Sequence, residues 1–141
     1  MAIVNSVQRI MNGFGNGSGA GSASNPSGYA TANAVALSGA STATAVTMGT
    51  QGYTNGRVRC KVYGGGSSTT TAQIEVTVTD GTNTYLVAET AAYAIGNGAN
   101  SGMDFVFPVN VDINIATVTI TVLLTVGTTT ASLDYEVCLN P

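Results

Sequence analysis

Ala116-Thr-Val-Thr-Ile-Thr-Val-Leu-Leu-Thr-Val126 alternates apolar and hydroxyl side chains almost without interruption. Val118, Ile120, Val122, Leu124 and Val126 share one phase, Thr117, Thr119, Thr121 and Thr125 the other, and Leu123 breaks the pattern. Successive side chains on a strand point to opposite faces, so this period of two predicts a β-strand with one buried face. At 3.3 Å per residue the run would extend about 35 Å.

The same period recurs on both sides of this run. Arg57 to Tyr63 sets Val58, Cys60 and Val62 against Arg57, Arg59, Lys61 and Tyr63, and Gln73 to Thr79 sets Ile74, Val76 and Val78 against Gln73, Glu75, Thr77 and Thr79. Asp80-Gly-Thr-Asn83 then reads as a hairpin turn into Thr84 to Glu89, because Asp-Gly accepts the positive φ that such turns demand. Asp104 to Ile113 keeps Phe105, Phe107, Val109, Val111 and Ile113 in phase. Pro108 falls in the opposite phase and has no N–H to donate, which points to an edge strand or a bulge. Leu133, Tyr135 and Val137 alternate with Asp134, Glu136 and Cys138, and the weaker segments Thr31 to Leu37 and Ala43 to Met48 add two more strands. About eight strands with short connections require antiparallel pairing. The expectation is an all-β, antiparallel two-sheet sandwich of jelly-roll kind, with a barrel as the second choice.

Upstream of the strands the pattern changes. Ile3, Val4, Val7, Ile10 and Met11 fall at the spacing of one helical face, although a short strand or a disordered tip fits the same eleven residues. Asn12 to Gly28 is a Gly/Ser/Asn tract with the composition of a flexible tether. Its Gly15-Asn-Gly-Ser-Gly-Ala20 matches a dinucleotide fingerprint by letter, but no strand and helix flank it, so the match is chance. The expected division is an anchor and arm over 1–28 and a β-domain over 29–141. The anchor residues Ile3, Val4, Val7, Ile10 and Met11 are the candidates for binding a partner, with the ordering entropy met on binding.

Composition narrows the chemistry. The chain has no histidine, so Ser-His-Asp and Cys-His arrangements cannot be built. Asp134 and Glu136 share a strand face, but a glycosidase pair must flank a sugar groove, and a chain without Trp is poorly equipped to line one. Asn110, Asp112 and Asn114 offer one carboxylate where calcium usually takes several, so they read as a surface row. Cys60 and Cys138 form no C-x-x-C pair, and their opposite phases predict two free thiols. No catalytic residue, cofactor or metal is expected.

Charged residues make up 8% of the chain, against about 25% in an ordinary soluble domain. Interface cores share that depletion, so copies of the chain or a larger assembly are the expected partners. Four basic against seven acidic residues give a net charge of −3, which argues against nucleic acid as a partner, and no run approaches a membrane span. The first residues lack the pattern of a secretory signal, which leads to the expectation of a chain made in the cytoplasm. Arg57, Arg59 and Lys61 occupy one strand face, as Asp134 and Glu136 do. Pairing within the chain, contact with another subunit and two separate solvated faces are all consistent with that spacing.

A small β-domain, rich in Thr, Val and Gly and poor in charge, with an apolar N-terminal segment and a Gly-rich arm, resembles virion structural proteins of tailed bacteriophages. It is most similar to the capsid decoration, or cement, proteins. The resemblance spans the chain in composition and organisation and carries over no residue role. It implies a homo-oligomer, preferably a trimer, that binds the major capsid protein or another virion subunit and reinforces junctions between capsomers. A tail, fibre or head-spike subunit is a second reading, and a cell-surface adhesion or carbohydrate-binding module is a third.

Overall fold

The computed structural model describes residues 28–37, 39–49, 52–64, 69–96, 102–125 and 131–141. The anchor residues Ile3, Val4, Val7, Ile10 and Met11, with the rest of 1–27, lie outside the described residues, as does Val126. Among the described residues nine strands follow one another: β1 (Tyr29–Ala36), β2 (Ser41–Thr47), β3 (Asn55–Tyr63), β4 (Thr71–Thr79), β5 (Thr84–Glu89), β6 (Tyr93–Ala94), β7 (Gly102–Asn110), β8 (Thr117–Leu124) and β9 (Ser132–Asn140).

Their pairing is nested. β1 pairs with β9, β2 with β8, β3 with β7 and β4 with β5, all antiparallel, as in one long ribbon doubled back on itself. Rolling the ribbon up brings β9 beside β3 and β8 beside β4. The result is a sheet A of order β1-β9-β3-β7 and a sheet B of order β2-β8-β4-β5, with β6 also pairing with β4. This is the strand order of a jelly roll, and the two separate sheets exclude the barrel alternative.

The core lies between the sheets. Val58, Cys60, Val62, Leu133 and Val137 of sheet A meet Ile74, Val76, Ile120 and Val122 of sheet B, all fully buried. Each large aliphatic side chain removed from water contributes about 1.5–3 kcal/mol, which makes this layer the main source of stability. The backbone keeps its bonds where ladders end. Ile115 N–H donates to Tyr53 O at 2.8 Å and Met48 N–H to Ala116 O at 2.8 Å. Between β5 and β6, Thr90 takes the place of a ladder residue. Its N–H donates to Ile74 O, and its Oγ1 accepts from Ile74 N–H and donates to Ala91 O.

Three details differ from the sequence reading. β6 is a two-residue strand that brings the count to nine. β7 ends at Asn110, so Val111 and Ile113 lie beyond it, partly buried against the core. The chain turns there because Val111 N–H donates to Thr54 O, across the end of β3. Asn110, Asp112 and Asn114 therefore do not form one strand row, and all three side chains are exposed. Gly28, at the end of the arm, is buried, and its carbonyl accepts Leu139 N–H at 2.7 Å.

Candidate interaction surfaces

The two outer faces of the sandwich differ in chemistry because β3 carries its alternation of cations into sheet A. Arg57, Arg59 and Lys61, three of the chain's four cations, project from that face. β3 sits between β9 and β7, so acids from both neighbours flank them. Arg57 Nη2 lies 3.0 Å from Glu136 Oε1. Arg59 faces Glu136 and Val106 in register, yet it reaches diagonally to Asp104, with Nε–Oδ1 at 3.1 Å and Nη2–Oδ2 at 2.7 Å. This two-point hydrogen bond holds the Asp104 carboxyl below its usual range. Both ion pairs are solvent-accessible, so each contributes little to stability.

Lys61 and Asp134 stand directly opposite each other but form no ion pair. Asp134 is engaged elsewhere. Its Oδ1 accepts the Ala34 N–H at 2.8 Å and the Tyr63 hydroxyl at 3.0 Å, and the latter bond pushes the Tyr63 phenol up. Lys61 Nζ lies 5.1 Å from the Tyr63 ring centroid, within cation–π range. The five charged residues singled out from sequence thus come together on one face, with Arg57–Glu136 in contact. Asp104, which the sequence reading left out of that set, takes Arg59. Its period-two place on the outer phase of β7 was the available signal.

Ala34 sits at φ +54° in a bulge of β1, where the register with β9 slips between Ala32 and Val35. The bulge carries Asn33 to the rim of a polar depression of about 250 Å³, lined chiefly by Thr31, Asn33, Arg59, Lys61, Asp134 and Glu136. A wider depression of about 560 Å³ lies near Asn55, Arg57, Asn110, Cys138 and Asn140. Cys138 is partly exposed and Cys60 buried, and both are free thiols. Among the described residues no group of three or more His, Cys, Asp or Glu side chains could hold a metal ion.

Sheet B presents a different face. Across β2, β8, β4 and β5 its rows read Thr47-Thr117-Thr79-Thr84, Ala45-Thr119-Thr77-Leu86, Ala43-Thr121-Glu75-Glu89, and, without β5, Ser41-Leu123-Gln73. The rows contain no cation, and their only charges are Glu75 and Glu89, directly opposite each other. Gln73 Nε2 donates to Glu89 Oε1.

Large hydrophobics that stay exposed gather at one margin. Among the described residues they are Tyr85, Leu86, Tyr93 and Val106, on β5, β6 and β7. β5 and β6 lie along the same edge of β4, and the Tyr93 ring meets Phe105 of β7 at 5.5 Å between centroids, so these strands flank one side of the sandwich. Sequence reasoning had not singled them out. Val106 was visible as the apolar residue out of phase with Phe105 and Phe107. Leu86 was hidden by a register shift between Val76 and Thr77 that resets the phase of β5.

No protein-family model matches the chain, and no curated protein matches it. Among solved structures it is similar to a carbohydrate-binding module of the β-sandwich superfamily, at 9% identity and a TM-score of 0.38, over 80% of this chain and 56% of that one. It is also similar to a chain of infectious bursal disease virus, Gt strain, at 13% identity and a TM-score of 0.33, over 77% of this chain and 31% of that one. The VP2 subviral particle of the same virus gives 14% identity and a TM-score of 0.33, over 77% and 32%. The chain therefore spans about half the length of the first of these and about a third of the other two.

Proposed function

We propose that this chain is a non-enzymatic structural subunit of a viral particle, carried on the outer capsid lattice, where it stabilises junctions between capsomers. The observation that supports this reading best is the outer face of sheet B. A free surface is normally studded with both signs of charge, whereas these rows are mostly threonine and alanine, with Glu75 and Glu89 as their only charges and no cation. Away from Glu75 and Glu89, covering such a face desolvates no charge, and its hydroxyls supply hydrogen bonds to a partner, which is the chemistry of an interface core. The apolar residues Ile3, Val4, Val7, Ile10 and Met11, which precede the Gly-rich stretch in sequence, supply a second contact. Self-association completes the reading, with a trimer as the preferred state.

The test is to add the purified chain to capsids isolated without it. It should co-sediment with them and raise the temperature at which they rupture. A chain that stays in the supernatant, or binds without changing capsid stability, contradicts the proposal.

The polar depression on sheet A favours a second reading, that of a carbohydrate-binding module. Its Asn33, Lys61, Asp134 and Glu136 could engage sugar hydroxyls. Glycan-array binding that is lost in Asn33→Ala would support that reading over the first.

A further inference from the structure

Two unmatched patches of opposite sign lie on opposite outer faces, beside the same margin of the sandwich. On sheet B, Leu86 is 60% exposed and faces Thr77, while the next row sets Glu89 against Glu75. Like charges directly across a ladder repel, and no cation lies in the rows of this face. Glu89 has the Gln73 amide, but Glu75 has no hydrogen bond or ion pair among the described residues. On sheet A, Val106 is 55% exposed and faces Arg59, while the next row sets Asp104 against Lys61. Arg59 occupies both oxygens of Asp104, and Asp134 is taken by Ala34 and Tyr63. Lys61 therefore has no ion pair among the described residues.

The geometry of the two patches corresponds. Each has an exposed aliphatic side chain on the marginal strand, β5 or β7, and a charge on the diagonal position of the adjoining strand, β4 or β3. Diagonal neighbours on a regular ladder are about 7–8 Å apart, and on sheet B the diagonal from Leu86 to Glu75 crosses the register shift between Val76 and Thr77. The placements correspond and the signs are opposite.

We infer that the outer face of sheet B docks on the outer face of sheet A of a second copy, with Leu86 against Val106 and the Glu75–Glu89 pair against Lys61. This deepens the assembly role proposed above and rests on it. The occupant is another copy because the sheet B face carries carboxylates and no cation, while the sheet A face carries Lys61 with no ion pair among the described residues. A symmetric contact of sheet B on sheet B would fail on charge, because it would gather four carboxylates. The contact is heterologous, so a copy that offers Glu75 and Glu89 to one neighbour still offers Lys61 to another. Heterologous contacts close into rings or continue as filaments. Because both patches adjoin one margin, successive copies turn about that margin, which favours closure.

Cross-linking tests this on the full chain, with Cys138→Ser removing the partly exposed native thiol. Leu86→Cys and Val106→Cys chains should each stay uncross-linked alone under mild oxidation, and their mixture should give a disulfide-linked dimer of one of each. Adding Lys61→Glu to the Val106→Cys chain should abolish that band, and Glu75→Lys with Glu89→Lys in the Leu86→Cys chain should restore it. The inference is overturned if the mixture gives no band, if Leu86→Cys cross-links to itself equally well, or if Lys61→Glu leaves the yield unchanged. Failure here with capsid binding intact would leave the proposed function standing. Capsid binding lost with the cross-link intact would be the reverse.

Discussion

The Cys60 thiol is enclosed between Val58, Val62 and the facing sheet, and burial pushes its pKa up to about 12. An unfolded thiol ionises near 8.5, so above that pH the unfolded state loses a proton that the folded state keeps. The associated stability is complete below about pH 8.5 and declines as pH rises toward 12. Denaturant titrations from pH 7.5 to 10 should show stability falling with pH in the native chain and a flatter profile in Cys60→Ala. Parallel profiles would contradict the burial. A chromogenic thiol reagent should modify Cys138 in the folded protein, and Cys60 only at the rate of unfolding. At the same scale, Asp134 accepts both the Ala34 N–H of the β1 bulge and the Tyr63 hydroxyl. Asp134→Ala should cost about 0.5–1.5 kcal/mol, because an exposed backbone donor loses its carboxylate partner beside a strained φ. An unchanged denaturation midpoint would show that water replaces the carboxylate. The opposite phases of Cys60 and Cys138 were legible as residues. The bulge at Ala34 was not, because no Gly or Asn marks the positive φ and the stabilising carboxylate comes from a strand 100 positions away.

At the scale of elements, period two placed the main strands but missed β6 and ran β7 past Asn110, and the absent N–H of Pro108 pointed to an edge strand or a bulge, of which β7 is the edge strand. Partners were harder to read. β1 pairs with β9 across nearly the whole chain, and nothing local to Tyr29–Ala36 encodes that choice. Closure of the long ribbon brings the apolar phases of distant strands together in one core. Gly56 shows how tightly β3 is held in that arrangement. It adopts φ +147°, and a Cβ there would lie 2.0 Å from Cys138 O on β9. Gly56→Ala should destabilise the fold by about 1–3 kcal/mol through strain and displacement of β9. Thermal unfolding measures it, and a change within about 0.5 kcal/mol, typical of neutral surface sites, would contradict this account of the β3–β9 contact.

At the scale of the whole molecule, the charge-poor composition pointed toward an assembly before any strand was placed. The faces that give this composition its meaning emerge only from the topology, which separates cationic β3 from the Thr-rich rows of β2, β8 and β4. Described strands and core begin at Tyr29, with Gly28 bonded to Leu139. Deleting residues 1–27 should therefore leave a cooperatively unfolding sandwich with weakened capsid attachment, and Ile3→Asp or Ile10→Asp should weaken attachment similarly, because a carboxylate resists entering an apolar site. Unchanged affinity after truncation would remove the arm from the interface, and an unfolded product would place it in the core. The central claim is tested most directly by a cryo-electron-microscopy map of purified particles. The account predicts density matching the nine-strand sandwich on the outer shell where capsomers meet, with the sheet B face covered. Particles that lack this density, or that carry it only on the tail with the sheet B face open to solvent, would contradict it.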